Sequence, residues 1–362
     1  MLHRGPPRTP PGNTMFPGPF MRAPLASHGA RPYGRGGITA LSKGGEEAAP
    51  PPRGMLAPGK NMEQFLQQLI NGLAIGGIYA LVALGYTMVY GVLKLINFAH
   101  GDLFTIGAYL GMTLFVSLGL AGKVPPWIAI PLVALMVMGL VALLGWVLER
   151  AAYRPLRKAN RLSAVVSALG ASIFFQNAVM LIWGAQYRVY PEAMRPSAIL
   201  HLFGMGIPAI RIILIAASVL LMLALYWFIN RTRTGTAIRA AAIDQGAARL
   251  MGINVDRIIA LVFLIGPGLG GVAGVMVGLA YGQIDFNMGF SYGLKAFTAA
   301  ILGGIGNIPG AMLGGMLLGL IETLGAAYLT IAWKDALSFL VLILILIIRP
   351  TGILGERVAD KL

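Results

Sequence analysis

A chain of 362 residues that is 57% hydrophobic and only 11% charged is excluded from the ordinary soluble domains, in which about a quarter of residues carry charge. Its mean hydropathy of +0.76 places it among polytopic membrane proteins. With no cysteine, disulfides, thiolate metal sites and cysteine nucleophiles are excluded as well, and the formal charge of +15 informs mainly through where it lies.

In chain order, residues 1–61 come first. Twelve of the first 60 residues are Pro and 11 are Gly, with eight Lys or Arg against two Glu. This is the composition of a disordered basic extension, and it lacks the apolar core of a signal peptide. Met62 opens a natural beginning for a first membrane segment, so the extension reads as a mispredicted start or a dispensable arm. A basic arm that touches anionic lipid is the functional alternative. The membrane domain is expected over 62–355, with a short tail over 356–362.

Uncharged runs follow over 64–93, 103–122, 124–148, 162–187, 212–230, 258–284, 296–321 and, more briefly, 336–348. A crossing takes roughly 20 apolar residues, so the prediction is an all-α, polytopic transmembrane helical bundle of about 8 to 10 spans. Basic residues set its orientation. Arg150, Arg154, Arg157, Lys158 and Arg161 crowd one short connection, and Arg231, Arg233, Arg239, Arg249 and Arg257 crowd another. Both are expected on the cytoplasmic side, with the segment near Pro191 and Pro208 outside. Eight crossings would leave both termini outside, whereas Arg349, Arg357 and the cationic extension favour inside. Ten crossings would reconcile them if 64–93 and 296–333 each passed twice.

Between the first two runs lie Asn97, His100 and Asp102. Ionisable residues within membrane segments are functional candidates, but these border a run, where helix capping is the competing role. His100 reads more readily as a hydrogen-bonded structural residue than as a proton carrier. Lys295 and Glu322 also border runs and are expected at the interface. Farther on, Gly266, Gly270, Gly274, Gly278 and Gly282 recur every four residues, a ridge that lets helices approach closely in lipid. Gly72 with Gly76, and Gly306 with Gly310 and Gly314, repeat the device. The stretch from Gly266 to Gly271 formally satisfies G-x-G-x-x-G, but no strand precedes it, so Pro267 is expected to kink a helix near its cytoplasmic end. Gly303, Gly304, Gly306 and Asn307 interrupt the next run. Together with Asn97 and His100 they are candidates for a translocation path through a broken helix, and a plain helix-to-helix turn is the other reading.

Neither H-E-x-x-H, nor G-x-S-x-G, nor G-x-x-x-x-G-K-[ST] occurs, so the chain presents no metal hydrolase, serine nucleophile or phosphate loop. No metal site or nucleic-acid partner is suggested. Few charges fall deep in the runs, which weakens an ion-coupled carrier and points to energy supplied by another polypeptide.

The polar interval 231–257 carries the run Gly246-Ala247-Ala248-Arg249-Leu250-Met251-Gly252. It resembles the E-A-A-x-x-x-G loop of ABC importer permeases, with Gly246 in place of Glu. The ending of the family pattern falls at Val262, Leu264 and Ile265, its proline absent and Pro267 two residues late. Longer stretches are similar to the permeases of branched-chain amino acid importers, LivH-type in particular. They are Leu95-Ile96-Asn97-Phe98-Ala99-His100-Gly101, Glu149-Arg150-Ala151-Ala152-Tyr153-Arg154-Pro155-Leu156-Arg157, Gly252-Ile253-Asn254-Val255-Asp256-Arg257, the segment from Lys295 to Gly306, and the segment from Arg349 to Gly355.

That resemblance implies an inner-membrane permease moving branched-chain or related hydrophobic amino acids. It would pair with a second, LivM-type permease, two cytoplasmic ABC ATPase subunits that bind ATP and Mg, and a periplasmic amino-acid-binding protein. The chain itself would hold no cofactor. A coupling helix over about 239–254 would engage the ATPase through Arg239, Gly246, Ala247, Ala248, Arg249, Gly252 and Ile253, with Ala247 and Ala248 as a small helical face and Gly252 as its end. Urea or short amides are alternative substrates, and an ion-coupled secondary carrier is the alternative from another class.

Overall fold

The structure, a computed structural model, describes residues 58–355 except 121, 158, 197, 203 and 204. Nearly all of the proposed 1–61 extension and the whole 356–362 tail lie outside the described residues. Eleven α-helices are present among them: α1 (Pro58–Leu93), α2 (His100–Ser117), α3 (Pro126–Leu148), α4 (Arg161–Trp183), α5 (Ala209–Arg231), α6 (Arg233–Ile243), α7 (Gln245–Leu250), α8 (Val255–Tyr281), α9 (Met288–Gly303), α10 (Ile308–Tyr328) and α11 (Trp333–Ile348). A π-helical turn, Glu149–Tyr153, continues α3. Two short antiparallel pairs complete the fold: β1 (Arg188–Val189) with β4 (Gln283–Ile284), and β2 (Ile199–Leu202) with β3 (Met205–Pro208).

Six helical segments are long and apolar enough to cross a bilayer: 62–93, 126–153, 162–183, 209–231, 255–281 and 308–328. The helices α2, α9 and α11, with 18, 16 and 16 residues, are shorter or less apolar. Backbone polar groups find no water in lipid, and helices satisfy them locally, which is why each apolar run becomes a helix.

The sequence-predicted α8 ridge is a packing surface inside the chain. Gly266 lies against Gly85 of α1, Gly270 against the His100 ring, Gly274 against the Phe104 carbonyl and Ala108 nitrogen of α2, and Gly278 under the Tyr190 ring. On its other face Gly271 meets Val141 of α3, and Gly145 of α3 abuts Phe263 and Pro267. A methyl at Gly274 or Gly145 would collide with backbone, so the approach there is available only to glycine. Gly282 ends α8 with φ +76°. Pro267 lies in the middle of α8 rather than near its cytoplasmic end, as the sequence had suggested. Gly72 and Gly76 of α1 interlock with Gly319 and Gly315 of α10, while Gly310 and Gly314 face α9. Gly306 belongs to no ridge, because it sits in a turn with φ +97°.

These contacts also give direction. Gly72 meets Leu320 and Gly76 meets Met316, whereas Gly91 lies nearest Gly306, so α1 and α10 are antiparallel along their lengths. Gly303 meets Gly310 and Gly314 meets Ala299, making α9 and α10 an antiparallel hairpin. In α2, Gly107 meets Gly271 and Gly111 meets Val275, so α2 and α8 run parallel. Followed through, the C-terminal end of α1, the basic turn after α3, the 231–257 interval and residues 349–355 share one side, and α11 returns to it. Among the described residues nine helices therefore lead between the two sides, six of them within segments long and apolar enough to cross a bilayer, with α1 starting on the opposite side.

One part of the ten-crossing expectation is thereby corrected. The 64–93 run is one continuous helix, so it makes one pass and not two. Only 296–333 divides, at the turn between α9 and α10.

Candidate functional site

The 231–257 interval folds as two short helices rather than one. Thr232 starts α6 by accepting a bond from the Gly235 amide at 3.0 Å. Asp244 then breaks the chain direction, and its Oδ1 caps α7 by accepting from the amides of Gly246 at 2.7 Å and Ala247 at 3.1 Å. At the other end of α7, the Ile253 amide reaches the Ala248 carbonyl and the Gly252 amide reaches Arg249, both at 3.0 Å. This paired closure requires the left-handed φ of +82° at Gly252. Gln245 Nε2 donates to the Val92 carbonyl at 2.8 Å, tying α7 to the last turn of α1.

Which side chains face outward differs from expectation. Ala248 is buried against the chain itself and offers nothing to a partner, whereas Gly246, Ala247 and Arg249 are exposed. Ile253 is half-buried, and Arg239 is exposed with weak bonds to Asn230 and Thr236. The outward apolar groups are Ile243, Leu250 and Met251, at 87%, 90% and 83% exposure. Sequence reasoning passed over them, although an apolar Leu-Met pair inside a polar interval was a visible signal.

The two groups of translocation-path candidates occupy different places. Asn97 and His100 lie where the chain leaves α1 and re-enters to begin α2. His100 is fully buried between Gly85 and Gly270, its Nε2 bonded to the Val82 carbonyl at 3.2 Å and its ring edge-on to Tyr86. Its α8 neighbour Gly270 is 15 residues past the start of that helix, about 22 Å at 1.5 Å per residue, so α2 begins deep in the bundle. Non-helical backbone at such depth is tolerated because residues 97, 99 and 100 are buried in protein. Tyr153 donates to Asn97 Oδ1 at 2.9 Å. Neither Asn97 nor Asp102 caps α2, whose N-cap is Ala99. Asp102 is buried and accepts from the Ser172 hydroxyl of α4.

Gly303, Gly304, Gly306 and Asn307, in contrast, form the turn from α9 to α10. Asn307 Oδ1 caps α10 at the Gly310 amide (3.0 Å), and its Nδ2 donates to the Leu354 carbonyl at 2.7 Å. The amides of Ile353 and Leu354 bond the carbonyls of Leu302 and Gly303 at 2.9 Å, closing the C-terminal segment over this turn.

Lys295 and Glu322 are buried within the protein. Glu322, 0% exposed on α10, accepts from Tyr79 of α1 at 2.9 Å, Lys295 of α9 at 3.0 Å and Lys334 of α11 at 3.0 Å, with Ser338 of α11 at 3.4 Å. Lys295 also pairs with Asp335 at 2.6 Å. Four helices thus converge on one carboxylate, with two ammonium groups balanced by two carboxylates. Lys295, Glu322, Lys334 and Asp335 each border an apolar run in sequence, so their pairing showed only when the ends of separate runs came together.

Comparison with known proteins accords with this architecture. A family model described as "Branched-chain amino acid transport system / permease component" matches residues 68–346. The high-affinity branched-chain amino acid transport system permease protein LivH of Escherichia coli (strain K12) is 45% identical over 300 residues, covering 82% of this chain and 97% of the relative. The corresponding permease protein BraD of Pseudomonas aeruginosa is 45% identical over 302 residues, covering 82% and 98%. A probable LivH of Methanocaldococcus jannaschii is 26% identical over 303 residues, covering 80% and 92%. With the match spanning most of the chain, this multi-pass membrane protein belongs to the permease family of branched-chain amino acid transport systems.

Proposed function

We propose that the chain is one membrane-spanning subunit of an ATP-driven importer for branched-chain amino acids in a bacterial inner membrane. Its partners are a second, LivM-type permease, two cytoplasmic ABC ATPase subunits that bind ATP and Mg, and a periplasmic amino-acid-binding protein. The chain holds no cofactor and performs no catalysis in this reading; it supplies the path and receives motion.

One observation carries the reading: on the basic side of the bundle, α6 and α7 present Ile243, Leu250 and Met251 nearly fully exposed, flanked by the exposed Arg239 and Arg249. Apolar side chains this exposed in a polar interval mark a protein contact, and the arginines suit acidic groups around it. Displacement of α7 passes to α1 through Gln245, and to α5 and α8 through the chain itself. A push at this surface therefore reaches three membrane helices, as alternation between two access states requires.

The chain has no native cysteine, so a single Leu250→Cys or Met251→Cys substitution gives a unique crosslinking position. Crosslinking to a nucleotide hydrolase in cells, faster with ATP than without, is the expected result. Uptake that persists in ATP-depleted vesicles and follows an ion gradient would sink the proposal in favour of a secondary carrier.

A further inference from the structure

A second feature of the basic side has no part in the coupling surface. Where α3 passes into the π-turn, a recess of about 290 Å³ is lined by Trp146, Glu149, Arg150, Arg154, Asn254, Asp256, Arg257 and Ala260. Its two carboxylates share one guanidinium: Arg157 bonds Glu149 and reaches Asp256 at 2.6 Å, which leaves one negative charge to set against the other arginines. Arg150, Arg154 and Arg257 are exposed, and none has a carboxylate within ion-pair distance among the described residues. The π-turn, closed by the Arg154 amide on the Glu149 carbonyl at 2.7 Å, lets residues four apart stand nearly in line, so Arg150 and Arg154 face the same way. Arg150, Arg154, Arg157 and Arg257 against Glu149 and Asp256 leave the recess with a net charge of +2, and Arg guanidinium groups match phosphate oxygens.

Its place in the bilayer selects the ligand. Directly along α3 from Arg150 lie Val147, Leu143 and Leu140, which are 46%, 53% and 41% exposed at helical spacing. An apolar stripe thus leads into an arginine recess at the level where the apolar runs end, with Trp146 at the boundary and Arg150 near its ring face. We propose that this recess binds the phosphate of an anionic phospholipid from the leaflet on the basic side, one acyl chain lying along Leu140, Leu143 and Val147. The inference rests on the membrane-spanning reading of the chain and not on the transported substrate.

The test uses the full-length chain, delipidated in detergent and titrated with phosphatidylglycerol or phosphatidylcholine while bound lipid is counted by native mass spectrometry. Phosphatidylglycerol should bind at least about tenfold more tightly. The triple variant Arg150→Gln, Arg154→Gln, Arg257→Gln should bind it about a hundredfold more weakly, since each cation near an anionic surface contributes on the order of a factor of five to ten. The triple Lys variant should keep most of the preference, and Arg231→Gln with Arg233→Gln should change nothing. Equal binding of the two lipids by the unaltered chain overturns the proposal whether or not the variants fold. Displacement of phosphatidylglycerol by millimolar inorganic phosphate would assign the recess to a soluble anion and also overturn it. So would unchanged lipid binding by the Gln variant accompanied by loss of a co-purifying ATPase, which would make the recess a protein contact.

Discussion

Replacing Glu322 with Gln keeps the shape of the side chain and an acceptor for Tyr79, but removes the charge on which Lys295 and Lys334 converge. Losing one member of a buried ion pair costs about 3–5 kcal/mol, because the partner is left buried and uncompensated. Here the lower end applies. Lys295 retains Asp335 at 2.6 Å, and Lys334, 28% exposed, can recover solvation. At roughly 2–4 °C per kcal/mol for a chain of this size, about 3 kcal/mol lowers the apparent melting temperature in detergent by about 6–12 °C. The paired variant Glu322→Gln with Lys295→Met, which removes charge from both sides, should recover more than half of that loss. Intrinsic fluorescence during a thermal ramp measures both. A single-variant shift below about 2 °C, or a double variant that merely adds the two single losses, would refute the claim that this carboxylate holds α1, α9, α10 and α11 together.

Other perturbations separate surface from scaffold. Leu250→Asp and Met251→Asp alter side chains that touch little of their own chain, so insertion and melting should stay within about 0.5 kcal/mol of the unaltered protein. Uptake in vesicles containing the partner subunits should nevertheless fall at least about tenfold. Ala248→Asp, by contrast, buries a carboxylate under α7 and should expose the 243–254 segment to protease, a structural failure rather than a lost contact. Gly252→Val forces a β-branched residue to φ +82°, costing about 1–3 kcal/mol, and the same proteolysis should report a frayed α7; Gly252→Asn should be milder. Gly274→Leu drives a side chain into the backbone of α2 and should leave little folded protein in membranes.

How far the sequence could be read varies from residue to residue. The Asn254 cap of α8, the Asn307 cap of α10 and the Gly252 ending of α7 are local devices visible in a few adjacent residues. The Gly266 to Gly278 ridge was visible by its spacing, but not what each glycine would meet: Gly85, His100, Phe104 and Tyr190 come from three different segments. For the interval 231–257 its position and sidedness were legible, while the break at Asp244 and the inward turn of Ala248 were not. The docking of α7 rests on a distant contact, Gln245 with the Val92 carbonyl of α1.

By itself the sequence determined the class of protein, the apolar helices and which connections lie on the basic side, because lipid obliges each segment to satisfy its own backbone and charge to stay near water. Tertiary structure alone decided that 64–93 passes once, that 296–333 divides into α9 and α10, that Lys295, Lys334 and Asp335 form one ion-pair cluster with the buried Glu322, and that three exposed apolar residues form the tip of the basic loop. The physical reason is that helix formation in a bilayer is local, whereas the choice of neighbours among equally apolar helices rests on close contacts between small residues and on pairing of distant charges, and the partner in each contact comes from a remote part of the chain.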